Sequence, residues 1–95
     1  MANVHVLAGK YRPLGYQQLN TLSSAIGFTV PEGARLAIVI AEDQAVRWRD
    51  DGTDPTGTVG MKIVDGGQLS YSGNLDAIKF IEIVAGAELN VSYFG

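Results

Sequence analysis

The run Arg35-Leu36-Ala37-Ile38-Val39-Ile40-Ala41, with the polar stretch RWRDDGTDPTGTVG from Arg47 to Gly60 behind it, decides how this chain reads. A strand has a side-chain period of two, and on that period the first run is apolar on both faces. Such a strand is central in its sheet, or has its second face covered by another sheet or subunit. It is far too short to span a bilayer. Between the two, Ala45 to Arg49 reads as a half-buried strand, with Val46 and Trp48 on one face and Arg47 and Arg49 on the other.

Downstream, Val59, Met61 and Ile63 alternate with Gly60, Lys62 and Val64. Asp65-Gly66-Gly67 predicts a hairpin turn of the primed type, with Leu69 and Tyr71 on the partner strand. Ala77 to Val84 has conflicting phases: Ile78 and Phe80 share one face, Ile81 and Ile83 the other. Either a β-bulge shifts the phase near Phe80, or both faces are covered. Leu89, Val91 and Tyr93 then alternate with Asn90, Ser92 and Phe94. Because Tyr93 and Phe94 point to opposite faces, one ring is expected to be exposed or buried in an oligomer contact.

Upstream the pattern is looser. Asn3 to Leu7 alternates as a strand, and Gly9 to Gly15, with Pro13, breaks it. Residues 1–15 fit an edge strand and loop, or an arm lying on a neighbour. Tyr16, Leu19, Leu22 and Ile26 have helical spacing. The many Ser, Thr, Asn and Gln residues among them compete for their own backbone, however, and favour a strand over Gln17 to Leu22. Phe28 to Val30 is extended and ends at the turn signal Pro31-Glu32-Gly33. The sum is about eight short antiparallel strands in a single all-β domain over residues 1–95, a sandwich of jelly-roll type or a small barrel, with little helix.

Composition narrows the function classes. The chain has 95 residues, a net charge of −3, 12 glycines and only 18% charged residues. That is one domain with one core. Its low charge density suits a surface packed against neighbours. The basic residues are scattered, so no nucleic-acid partner is expected. With no cysteine, disulfides and thiolate metal sites are excluded. The first residues lack a basic and then apolar leader, and no membrane partner or signal peptide is expected.

Candidate chemistry is sparse. Asp50, Asp51 and Asp54 would suit Ca²⁺, but the pattern lacks the closing Glu of a calcium loop, and Asp with Gly is ordinary turn composition. His5, the one histidine, has no triad or zinc partners. Glu42, Asp43 and Asp65 form no marked acid–base pair. Trp48 with Tyr71 would make a sugar-stacking platform, although the phase Trp48 shares with Val46 favours the core. No enzyme activity and no cofactor are expected.

Several phrases resemble small structural proteins of tailed-phage virions: Ala45 to Thr56 (AVRWRDDGTDPT), Gly57 to Met61, Leu69 to Leu75, Ala77 to Ile81 and Leu89 to Tyr93. The resemblance implies a β-sandwich subunit of the head-decoration (cement) kind, or a related head or tail accessory. Such a protein is made in the host cytoplasm and resides on the virion. It binds the lattice of the major capsid protein and carries no chemistry. On this reading the chain is a homo-oligomer, trimer or dimer, and its contacts come from Arg47, Arg49, Asp50 and Asp51 and from the Tyr93-Phe94 end. A carbohydrate-binding module on a fibre or tail, using Trp48, Tyr71 and the acidic loop, is the first alternative. A metal-dependent binding domain is the second.

Overall fold

The computed structural model describes residues 11–95, so the expected strand Asn3 to Leu7, His5 and most of the proposed arm lie outside the described residues. Eight strands follow in order: β1 (Pro13–Leu19), β2 (Ile26–Gly27), β3 (Leu36–Glu42), β4 (Val46–Arg49), β5 (Met61–Ile63), β6 (Gln68–Tyr71), β7 (Lys79–Glu82) and β8 (Glu88–Phe94). No helix is found among the described residues. The strands form two antiparallel sheets of four, in the orders β1-β8-β3-β6 and β2-β7-β4-β5. The first strand thus pairs with the eighth, the second with the seventh, the third with the sixth and the fourth with the fifth. β8 also reaches β3, and β7 reaches β4.

The inner faces of the two sheets meet over one core, a β-sandwich arrangement. Val39, Leu89, Val91 and Tyr93 come from the first sheet, and Val46, Ile63 and Phe80 from the second. Phe28 bridges them, with its ring 5.2 Å from Phe80 and 5.6 Å, edge-on, from Tyr93. Aromatic pairs at such separations stabilise beyond the area they bury.

The doubly apolar run is the central strand β3, flanked by β8 and β6. Ala37, Val39 and Ala41 face the core, while Leu36 and Ile38 join Phe94 in a second cluster beneath Tyr11. Pro13 does not break the chain. It opens β1, an edge strand, where a missing N–H leaves no ladder bond unmade. Leu14 is an extra residue in the pairing with β8, which makes a bulge there. The segment after it is a strand, as its polar composition predicts, although it runs Pro13–Leu19 rather than Gln17 to Leu22.

Two turns show how local chemistry relates to the whole. At Pro31-Glu32-Gly33-Ala34, the Ala34 N–H donates to the Pro31 carbonyl at 3.1 Å, and Gly33 takes φ 85°, as the third residue of a type II turn requires. At Val64-Asp65-Gly66-Gly67, Gly67 N–H donates to Val64 carbonyl at 2.7 Å and Gly66 alone has positive φ, 83°. This is also type II geometry, so the expected primed hairpin is corrected. The turn carries the chain from β5 in one sheet to β6 in the other. It is held against β3 by Gly66 N–H donating to Ala41 carbonyl and Ala41 N–H donating to Gly67 carbonyl, at 2.8 and 3.0 Å.

No bulge occurs near Phe80, because the pairing of β7 with both neighbours is regular. Ile78 and Phe80 are fully buried, whereas Ile81 and Ile83 are half-buried. The conflict of phase thus resolves into an inner face in the core and an outer face partly covered.

Candidate functional site

The polar stretch after β4 forms the loop that joins β4 to β5. Arg47 points away from the core and holds this loop: its Nε donates to Gly57 carbonyl at 3.2 Å and its Nη1 to Gly60 carbonyl at 2.9 Å. Two loop carbonyls thereby gain charge-assisted partners. Arg49 forms a two-pronged pair with Asp51, Nε to Oδ1 at 3.0 Å and Nη2 to Oδ2 at 2.5 Å. The bonds to Arg49 hold the Asp51 carboxyl below its ordinary range, and the same pair raises Arg49. Asp51 is exposed and Arg49 partly so, and the pair therefore shapes the loop more than it stabilises the fold.

Asp50 turns the other way and accepts a hydrogen bond from Tyr71 Oη at 2.7 Å, while that oxygen accepts one from Asn74 N–H at 3.1 Å. Burial, and then the Asp50 carboxylate, push the Tyr71 phenol upward. Asp54 faces Lys79 Nζ at 3.5 Å. The three carboxylates are therefore drawn to three different partners. Among the described residues, no three His, Cys, Asp or Glu side chains converge on a point where a metal ion would sit.

Trp48 lies on the inner face of its sheet, between Phe80 of β7 and Met61 of the edge strand β5, and it is only half-buried. Its ring meets Tyr71 of the other sheet edge-on at 5.9 Å and closes that side of the sandwich. It is therefore packed on the core, as its phase predicts, and it also lines an open groove of about 540 Å³. The groove is bounded by Arg49, Asp50, Asp51, Val59, Gly60 and Met61. Val59 and Met61 stand 50% and 61% exposed, which makes an apolar wall beside an ion pair. Tyr71, the other proposed platform ring, is buried and is no open stacking surface.

Arg49, Asp50 and Asp51 are brought together at this groove, and Arg47 lies behind it as a clamp. Tyr93 and Phe94 are elsewhere, and both are buried within the chain, 1% and 8% exposed. The expectation that one ring is free for an oligomer contact is corrected. Tyr93 fills the core, with Oη donating to Gln17 Oε1 at 2.6 Å, and Phe94 is covered in the cluster with Leu36 and Ile38.

A second surface, the outer face of the sheet β1-β8-β3-β6, was signalled by the doubly apolar run Leu36 to Ile40, but its other residues Tyr16, Gln68 and Asn90 were not foreseen. A shallow hollow there is lined by Tyr16, Ile38, Ile40, Gln68, Asn90 and Phe94 among others. Tyr16 is 66% and Ile40 37% exposed. The signal was the doubly apolar phase of β3, but which neighbours cover that face depends on strand order. No protein family, curated protein or solved structure matches this chain.

Proposed function

We propose that this chain is a non-enzymatic structural subunit of a tailed-phage virion, one that decorates the capsid by binding the assembled coat-protein lattice. The observation that carries the reading is the strand pairing: first with eighth, second with seventh, third with sixth, fourth with fifth. One long antiparallel hairpin wound across two sheets has this order, and we read it as a jelly roll. That architecture recurs in viral capsid and lectin domains. Fold alone does not assign function, so the reading also leans on the phrases that resemble virion proteins.

The surface offered to the lattice is the β4–β5 edge. Val59, Met61 and the neighbouring Val64 stand exposed beside Trp48, with the Arg49–Asp51 pair at the rim. An apolar centre rimmed by charge is the usual anatomy of a protein interface. A protein that binds the assembled shell and not free subunits stabilises the shell by linkage, and several copies around a symmetry axis add avidity. The chain acts there as a homo-oligomer, dimer or trimer.

Mixing the purified chain with empty heads of the phage that encodes it, followed by a thermal melt of the shells, tests this. Co-sedimentation with the heads and a raised shell melting temperature are expected, both reduced by Met61→Lys. Heads that neither bind the chain nor melt later overturn the reading.

A carbohydrate-binding module is the second reading, favoured by one specific observation. Trp48 borders a groove that also carries the Arg49 guanidinium and two carboxylates, a mixture suited to sugar rings and their hydroxyls. Saturable quenching of Trp48 fluorescence by glycans supports it, and an unchanged spectrum across a glycan panel removes it.

A further inference from the structure

The outer face of β1-β8-β3-β6 is polarised along its strands. At one end the Arg35 guanidinium lies 5.2 Å over the Tyr11 ring, and Tyr11 packs on Leu36, Ile38 and Phe94, so this cation sits on the outer face. At the other end are two carboxylates. Glu42 Oε1 accepts from Asn90 Nδ2 at 2.7 Å, and Glu88 Oε1 accepts from Gln18 Nε2 at 3.3 Å. Asn90 also accepts from Tyr16 Oη at 2.5 Å, which lays the exposed Tyr16 ring along the same face. Between the two ends the described residues of the face are neutral: Tyr16, Ile38 and Ile40, with serines at positions 70 and 92 in register beside Ile38.

From this we infer that the face is a self-association surface on which a second copy of the chain packs across a two-fold axis. The charges choose the axis. Two sheets packed face to face are related by a two-fold lying in the plane between them. An axis along the strands would set Glu42 and Glu88 against their own copies. An axis across the strands, passing near Ile38, reverses the direction of one sheet and sets each Arg35 end against the partner's acidic end. Such an interface is isologous and closes as a dimer.

Strands of this length, about 3.4 Å per residue and about 4.8 Å apart, make a face of roughly 24 by 19 Å. That is the small end of specific interfaces, so the dimer dissociates on dilution. The inference rests on the homo-oligomer in the reading above and not on its shell. A dimer that ignores phage heads would remove the decoration reading and leave this one standing.

Sedimentation equilibrium of the full chain over a range of concentrations tests it. The mass is expected to rise from 10.1 kDa towards twice that value. Ile40→Lys, at a partly exposed position, should weaken association at least tenfold while leaving unchanged the circular dichroism and the melting temperature measured at a dilution where both proteins are monomeric. Glu42→Gln keeps the acceptor for Asn90 but removes the charge, and should weaken association several-fold. Arg35→Glu combined with Glu42→Arg restores the opposition of charges and should recover much of what either single reversal loses. A chain that stays at 10.1 kDa, one that forms a trimer, or a dimer indifferent to Ile40→Lys overturns the inference.

Discussion

Replacing Tyr93 with Phe should leave the fold intact and change how its stability depends on pH. Tyr93 is 1% exposed, and burial pushes its phenol from 10.0 up to about 12. The folded chain thus holds this proton more tightly than the unfolded chain. Stability is full below the unfolded value near pH 10, and falls as pH rises through the folded value near 12. The whole displacement corresponds to about 2.7 kcal/mol at 1.36 kcal/mol per pH unit. The hydroxyl ends against half-buried Gln17, where solvent screens it, so about 1–2 kcal/mol is the expected loss, half of it by about pH 11. The Phe variant lacks this loss and forfeits one hydrogen bond, about 0.5–1.5 kcal/mol. The low end applies, because Gln17 Oε1 still accepts Thr29 N–H at 3.0 Å. Urea unfolding of both proteins from about pH 8 to 11.5 should therefore show the wild type more stable at first, with the two curves converging and then crossing. Curves that stay parallel over that range would refute the argument.

Phe80→Ala empties a fully buried site under Phe28 and should cost about 3–5 kcal/mol in chemical denaturation, a large share of the stability of a domain this size. Asp43 has φ 77°, a conformation that costs a side chain about 1–2 kcal/mol, while its N–H bond to Asp65 belongs to the backbone. Asp43→Gly should therefore raise the melting temperature. Asp50→Asn keeps an acceptor for Tyr71 but removes the charge. An ultraviolet titration should find the Tyr71 phenol lowered only in part, since burial is the larger cause of its displacement.

How much of this was legible in the sequence depended on how local each signal is. β4 and β8 follow from period-two patterns within single segments, β3 from a short run apolar on both faces, and the Pro31-Glu32-Gly33 turn from the needs of one glycine. Partner choice is not local. Asp65-Gly66-Gly67 specifies a reversal of the chain, but β6 leaves β5 for β3 because the turn's own N–H and C=O groups bond Ala41. Tyr93 and Phe94 were correctly placed on opposite faces. That Phe94 is covered depends on Tyr11, more than 80 residues earlier in the chain. The groove beside Trp48 likewise needs Val59 and Met61, which a long loop returns to its side, while the Arg–Asp spacing that shapes its rim was visible in RWRDD.

The distribution of charge links the fold to both proposed contacts. The two ion pairs found among the described residues, Arg49–Asp51 and Lys79–Asp54, both tie down the start of the β4–β5 loop, and Arg47 holds its far end through Gly57 and Gly60. A loop fixed in advance loses little conformational freedom when a partner covers it, so more of the contact energy appears as affinity. The outer face of the other sheet is arranged differently. Its charges are left at opposite ends, engaged by Tyr11, Asn90 and Gln18 rather than by each other, with neutral side chains between. Charges held apart in this way add little to the stability of a single chain, but they fix the orientation of a second one. A sequence with so few charges spends them where they either shape a rigid edge or set a direction, and this division separates the surface proposed for the shell from the surface proposed for self-association.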